Sequence, residues 1–243
     1  MFLKNEYLES IKDKKIKILY EIVSNHLNYV RKLDTVDSLN IYIKDILSFI
    51  NGYTPKDKKF KQLRKYFLYA PLNLDFLYQY TKIKIEYLEN PKLRRLDDLM
   101  IYFEKQSLFG MLLFITDPKA QIHLEPILLL SKIDKIYETL LHLNELKQTN
   151  QIHLPIQLIE DYGLEIVLDK NVYLMNDRFF GVWNLFYIKL NQLLESLKPK
   201  MILFDDLHQE LIFNYLSIRK DDLNHFQKTL KKWCIMHHFI FLS

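Results

Sequence analysis

The sequence predicts an all-α protein folded as a single helical bundle. Only 4 Gly and 7 Pro occur in its 243 residues, and 49% of the residues are hydrophobic. Leu, Ile, Lys and Glu are abundant throughout, which favours helices over strands. A chain of this length can bury one large core, and we therefore expect one domain over residues 1–243.

Hydrophobic side chains recur at helical spacing along most of the chain, which predicts about ten helices. The predicted long helices cover residues 6–32, 37–50, 58–69, 74–88, 96–115, 122–148, 174–197, 204–218 and 219–241. The most regular stripe steps by four and three residues and is formed by Leu129, Ile133, Ile136, Leu140 and Leu143. Such a stripe packs against a neighbouring helix.

Composition and charge exclude several classes of function. Lys and Arg are interspersed with Asp and Glu, the net charge is only +4, and no glycine-rich phosphate loop occurs, so nucleic-acid and nucleotide binding are not expected. The most basic stretch, Lys56 to Lys65, is interpreted as a solvated face, with a phosphate or membrane-lipid patch as the alternative.

Targeting features favour a cytoplasmic protein, or one bound peripherally to the inner face of a membrane. The start of the chain lacks a signal-peptide pattern, and the longest apolar run, Leu108 to Ile115, is too short to span a bilayer. The single Cys234 cannot form an internal disulfide and fits a reducing compartment.

A rigid corner is predicted between the two longest apolar helical patterns. Pro155 pre-sets the first turn of a short helix, and Gly163 supplies the left-handed residue that can end it. The segment reads Q-I-H-L-P-I-Q-L-I-E-D-Y-G-L from Gln151 to Leu164.

This corner resembles the "I-Y-L-P, short helix, F-G-L" corner of the squalene and phytoene synthase family, the head-to-head prenyltransferases. The similarity covers roughly Leu72 to Leu164: the segment 96–102 is similar to the family's "F-E-E-L-L-x-Y" helix start, and Gly110 lies where the family has a kink of small residues. The resemblance implies a helical bundle of the isoprenoid synthase type. It also implies a site where aspartate-rich motifs bind magnesium and a prenyl diphosphate.

Most of those aspartates are changed in this chain. When the family's corner is aligned on Leu154 and Pro155 and no gap is introduced before it, the second motif, "D-x-x-E-D", falls on residues 142–146. There His142 and Leu146 replace the aspartates and Glu145 remains. The aspartate of the preceding "G-M-x-x-D" segment becomes Tyr87. These three altered positions are not expected to bind a metal.

The first motif, "R-x-x-D-D-x-x-D", has two possible registers. In one it falls on residues 31–38, which keeps Arg31 and Asp34 and replaces the other aspartates by Thr35 and Ser38. In the other, residues 43–45 align with a "W-R-D" sequence one helix later, and no aspartate motif is left. The sequence leaves both registers open.

Four further groups of polar residues can be interpreted either as metal-binding or catalytic residues or as structural and surface residues. Glu138, His142 and Glu145 share one helix face, for which a polar face with a charge pair is favoured over a metal site. Surface or interface histidines are expected at 237–238, and helix capping at 97–98 and 205–206.

The losses predict a change of function. Ionisation of a prenyl diphosphate needs its negative charge compensated by magnesium, which takes carboxylate oxygens as ligands. We therefore expect a squalene/phytoene synthase-like protein without prenyl transfer, similar to a mitochondrial assembly factor for respiratory complex I. We expect this protein to need no cofactor and to bind a protein partner or an apolar isoprenoid-like lipid. The alternative is an active magnesium-dependent prenyltransferase that uses Asp34, Asp37 and Glu145.

Overall fold

The computed structural model describes residues 6–53, 57–67, 74–89, 93–117, 119–143, 154–167 and 172–236. In these ranges the chain forms ten α-helices. They are α1 (Lys14–Lys32), α2 (Val36–Ile50), α3 (Lys58–Phe67), α4 (Asp75–Glu89), α5 (Leu96–Gln106), α6 (Leu108–Thr116), α7 (Leu124–His142), α8 (Ile156–Tyr162), α9 (Asp177–Leu197) and α10 (Asp206–Met236). The predicted all-α class is confirmed.

Four short elements complete the described structure. Two 3-10 helices span Glu6–Leu8 and Lys198–Leu203. Strands β1 (Ile166–Val167) and β2 (Val172–Tyr173) pair antiparallel in a small hairpin that the sequence pattern did not predict.

The bundle is built around α7, which packs against α5, α6, α9 and α10. Nearly every side chain from its second turn onward is buried, including the predicted stripe residues Ile133, Ile136 and Leu140. The indole Nε1 of Trp183 on α9 donates to the carbonyl of Leu140 at 3.1 Å. Because α7 is buried on several sides, its polar side chains face other helices rather than water.

Two predicted helices are divided in the structure. The helix predicted over 6–32 starts only at Lys14, because the Asp13 carboxylate accepts from the backbone N–H groups of Lys15 and Ile16 and caps α1. The helix predicted over 96–115 breaks at Ser107, whose hydroxyl accepts from Gly110 N and caps α6. Conversely, the two helices predicted over 204–218 and 219–241 form one continuous helix, α10.

The corner around Pro155 confirms the sequence interpretation. Pro155 directly precedes α8, and Gly163 ends it with φ 59°, in the left-handed region. The backbone N–H groups of Ile156 and Gln157 donate to the carbonyls of Leu93 and Arg94, which ties the corner to the start of α5.

A second glycine allows two helices to approach closely. A Cβ at Gly110 on α6 would collide with the Ser131 hydroxyl on α7. The small residue at this position therefore brings α6 close to the central helix.

No single helix in the described ranges is both long and apolar enough to cross a membrane. Helices α5 and α6 reach that length and apolar character only when they are taken together, and they are bent by 47° relative to each other.

Candidate functional site

A buried group of charged side chains joins the ends of α1 and α7 to α4. Arg31 Nη2 donates to Glu138 Oε1 at 2.5 Å, and Lys135 Nζ donates to Glu138 Oε2 at 2.5 Å. Lys84 Nζ on α4 donates to the carbonyl of Arg31 at 2.8 Å. We call Arg31, Lys84, Lys135 and Glu138 the cationic cluster, because three of its four side chains are basic.

The electrostatics of the cationic cluster favour an ionised carboxylate. Burial alone would raise the pKa of Glu138, but Lys135 and Arg31 hold the pKa well below its usual range. Burial, together with the positive charges of Arg31 and Lys135, lowers the pKa of Lys84 to about 8. The Asp34 carboxylate acts in the opposite direction on Lys84.

A second buried network lies one helical turn earlier on α7. Asp134 Oδ2 accepts from the Ser107 hydroxyl at 2.8 Å, and Asp134 Oδ1 accepts from Tyr215 and from Arg219 Nη2 at 2.5 and 2.6 Å. Arg219 Nε also donates to the Tyr215 hydroxyl at 2.9 Å. This Asp134 network satisfies both carboxylate oxygens and links α7 to α10 and to the break between α5 and α6.

The candidate aspartates of the first motif are exposed. Asp34 lies in the turn between α1 and α2, and Asp37 lies in the first turn of α2. The two positions where the motif would have further aspartates, Thr35 and Ser38, form a capping box at the start of α2. This part of the chain thus uses hydroxyl groups to begin a helix.

Two of the altered motif positions lie within the described residues. Tyr87 on α4 is half-buried and stacks on Tyr102 with ring centroids 4.5 Å apart. His142 is half-buried at the last residue of α7, one turn after Glu138. Glu145 and Leu146 lie outside the described residues, so the convergence of Asp34, Asp37 and Glu145 on one site stays a prediction.

The polar face predicted for the end of α7 is buried. Glu138 is only 8% exposed, and its charge is paired within the bundle instead of facing solvent. The spacing identified the shared face, but the partner Arg31 lies 107 residues earlier in the chain.

One aspartate of each pair at the starts of α5 and α10 caps its helix, as predicted. Asp205 Oδ1 accepts from the backbone N–H of His208 at 2.8 Å. Asp98 Oδ2 accepts from the backbone N–H of Arg95 at 3.0 Å. Residues 237–238, Lys56 and the side chains of Lys65 and Cys234 lie outside the described part of the structure.

The residues around the cationic cluster do not fit a magnesium ion. Magnesium requires several hard oxygen ligands, and here the single buried carboxylate is already held by two cations whose charge opposes a divalent metal. In the described ranges, no three His, Cys, Asp or Glu side chains are placed to hold a metal.

An apolar groove lies between α9, α10 and the 3-10 helix 198–203, and sequence reasoning did not identify it. Its volume is about 490 Å³, within the range of roughly 300–1,000 Å³ that is typical of small-molecule sites. Tyr137 of α7 and Tyr187 of α9 contribute to its lining. Its aliphatic lining consists of Leu190, Leu194, Leu197, Met201, Leu216 and Leu223. The apolar pattern of these helices was the only sequence feature that pointed to the groove, and a packed core explains that pattern equally well.

The rim of the groove is polar. Lys198 pairs with Glu195 at 2.5 Å, while Lys220 is exposed and makes no ion pair within the described residues. Asn191 and Asn224 also line the groove. The groove therefore combines an apolar floor with polar groups at its edges, which suits an amphipathic ligand.

The fold is similar to that of a solved enzyme structure. The structure is similar to the crystal structure of a dehydrosqualene synthase in complex with ligand, with a TM-score of 0.64 and 15% sequence identity. The match covers 94% of this chain and 96% of that chain. No family model matches this sequence, and a comparison with curated proteins found no match.

The likeness establishes an all-α fold of the isoprenoid synthase type, in agreement with the resemblance seen in the sequence. At this level of identity it is a statement about the fold alone.

Proposed function

We propose that this protein is a non-catalytic binding protein with a squalene/phytoene synthase-like fold, whose ligand is an apolar isoprenoid-like lipid. The observation that carries the proposal is the cationic cluster. Arg31, Lys84 and Lys135 surround Glu138. Three of these residues lie within four positions of Asp34, Tyr87 and His142, where the resemblance implies carboxylates that bind magnesium. Transition-state stabilisation of a leaving diphosphate by metal ions has no basis in such an arrangement.

The groove between α9 and α10 supports the binding part of the proposal. Its aliphatic and aromatic lining matches an isoprenoid chain, and burial of such a chain stabilises a complex by roughly 25 cal/mol per Å² of apolar surface, before the cost of association. A lipid of this kind needs no metal for binding.

The test is calorimetric titration with two probes, farnesol and a non-hydrolysable farnesyl diphosphate analogue, each with and without magnesium. We expect farnesol to bind. We expect magnesium to change the affinity for either probe by no more than about twofold, because the cationic cluster does not fit the ion. Absence of farnesol binding would contradict the lipid-binding function.

A matched pair of variants locates the ligand. Leu216→Trp fills the groove with a larger ring and is expected to weaken farnesol binding at least tenfold. Leu88→Trp places the same ring at a side chain that is 39% exposed on α4, away from the groove lining, and is expected to leave binding unchanged.

The enzyme alternative predicts the opposite metal dependence. An active prenyltransferase would bind the diphosphate analogue at least tenfold more tightly with magnesium and would form product from farnesyl diphosphate. Loss of that product in Asp34→Asn and Glu145→Gln would then establish the alternative and overturn the proposal.

A further inference from the structure

Four large aliphatic side chains are exposed together at one end of the bundle. Ile122, in the turn before α7, and Leu124, the first residue of α7, are 75% and 43% exposed. Ile202 and Leu203, in the 3-10 helix before α10, are 82% and 49% exposed. We call these four residues the aliphatic tip.

Contacts between their neighbours bring the two segments together. The rings of His123 and Phe204 lie 5.0 Å apart, and both residues are buried. Lys200 Nζ forms an ion pair with Glu125 Oε1 at 2.8 Å. Residues almost 80 positions apart in the sequence therefore present their aliphatic side chains at the same end.

The turn that carries Ile122 is held in place from inside. His123 Nδ1 and Asp117 Oδ2 are 2.7 Å apart, and Asp117 Oδ1 accepts from the backbone N–H of Lys119 at 2.8 Å. The exposure of Ile122 is thus fixed by its anchored neighbours. Grouped aliphatic side chains that are held in water mark an interaction surface.

Lysines flank the aliphatic tip, and most of their charge is balanced. Lys198 and Lys200 pair with Glu195 and Glu125, and Lys119 is exposed. Long lysine stems can lie along apolar surface while the ammonium groups stay at the level of lipid headgroups. Balanced charges make the aliphatic side chains, rather than attraction to anionic lipid, the source of affinity for a bilayer.

The aliphatic tip is continuous with the groove. The 3-10 helix that exposes Ile202 also contributes Lys198 and Met201 to the groove lining. Ile202 therefore adjoins Met201, a side chain that lines the groove.

We propose that the aliphatic tip docks on a lipid bilayer, inserting Ile122 and Ile202 at the headgroup boundary, and that an apolar chain moves from the bilayer into the groove. Docking goes beyond the proposed function and does not depend on it. Only the loading of the groove rests on that function.

Sedimentation with phosphatidylcholine vesicles tests the docking. The wild-type protein is expected to sediment with the vesicles, and the double variant Ile122→Asp/Ile202→Asp is expected to bind at least tenfold less. Since both side chains are more than 70% exposed, the substitutions should leave the melting temperature unchanged. The matched control is Ile41→Asp/Ile101→Asp, which changes two isoleucines that are 62% and 60% exposed on α2 and α5, and it should sediment like the wild type.

Three results would overturn the docking proposal. They are absence of wild-type binding to the vesicles, an equal loss in the control variant, and binding that appears only with phosphatidylglycerol and disappears in 0.5 M salt. The last result would assign membrane contact to a basic surface such as Lys56 to Lys65.

Transfer of radiolabelled farnesol from the same vesicles tests the loading. The double variant is expected to bind farnesol added in detergent normally but to acquire it from vesicles at least fivefold more slowly. If the variant takes up farnesol from vesicles at the wild-type rate, the loading role is wrong. If the wild type binds no farnesol under either condition, the proposed function fails, while the sedimentation result stands.

Discussion

Asp134 and Glu138 lie one turn apart on α7, and each is buried and paired with an arginine from another helix. Their surroundings differ. Asp134 is satisfied by a serine, a tyrosine and one arginine, so its network is fully closed. Glu138 is surrounded by cations, and its cluster lies beside the exposed Asp34 at the end of α1.

The comparison separates a closed network from a cluster with an excess of positive charge. The Asp134 network holds three parts of the bundle together. The cationic cluster places three basic side chains around one carboxylate, so its charge is not balanced internally. One turn of α7 thus carries a closed structural network, and the next turn carries the cationic cluster.

The largest effect is expected for Asp134→Asn. The amide removes the negative charge beside Arg219 and leaves that guanidinium buried without a counter-ion, which costs about 3–5 kcal/mol. Urea unfolding measures the loss. The exposed Asp221→Asn, in the middle of α10, serves as the control, with an expected change within about 0.5 kcal/mol. A loss under 1 kcal/mol in Asp134→Asn would show that the network is not structural.

Glu138→Gln is expected to cost about 2–3 kcal/mol, because Arg31 and Lys135 lose their shared counter-ion while Arg31 keeps partial access to solvent. The pKa of Glu138 is lower in the folded protein than its ordinary value of 4.5, so the folded state is favoured above that pH and loses this advantage as the pH falls below it. The difference between the wild type and the variant should therefore shrink below about pH 4.5 in urea unfolding. A pH-independent difference would contradict the ion pairs.

Lys84→Met tests the positive charge of the cluster through its pH dependence. The pKa of Lys84 falls from 10.5 to about 8 on folding, so the unfolded chain binds more protons between these values and the wild type gains stability as the pH rises through them. The gain is at most about 3 kcal/mol and should be absent in the variant. Urea unfolding at pH 7.5 and 10 measures it, with the exposed Lys82→Met as the control.

Asp34→Asn should have the smallest effect on stability, within about 0.5 kcal/mol, because this carboxylate is exposed. Its negative charge raises the pKa of Lys84, so the variant should lower that pKa further. Carbon-detected NMR titration of the lysine side chains measures the change. Asp37→Asn should not alter the titration, and an unchanged Lys84 titration in Asp34→Asn would remove Asp34 from the cluster.

Local patterns determined the fold class and several of its details. Hydrophobic spacing predicted the helices, the sparse glycine and proline content predicted the bundle, and Pro155 with Gly163 predicted the corner at α8. The capping roles of Asp98 in the first turn of α5 and of Asp205 before α10 also followed from the sequence, because a cap depends on residues three or four positions apart.

The division of two helices could not be read from periodicity. The apolar pattern continues across Ser107, yet the chain bends there because the Ser107 hydroxyl both caps α6 and donates to Asp134. A partner 27 residues away decides where the helix breaks. Hydrophobic spacing carries no information about such a partner.

The sequence by itself determined that the chain is a helical bundle, and its resemblance to squalene and phytoene synthases implies that the aspartates of a prenyl diphosphate site are largely replaced. Only the tertiary structure decided that Arg31, Lys84 and Glu138 form one cluster, since they come from three helices that meet only in the folded bundle. The same holds for the groove and the aliphatic tip. Helical propensity and capping act over a few residues, whereas ion pairs, grooves and exposed patches depend on which distant segments pack together.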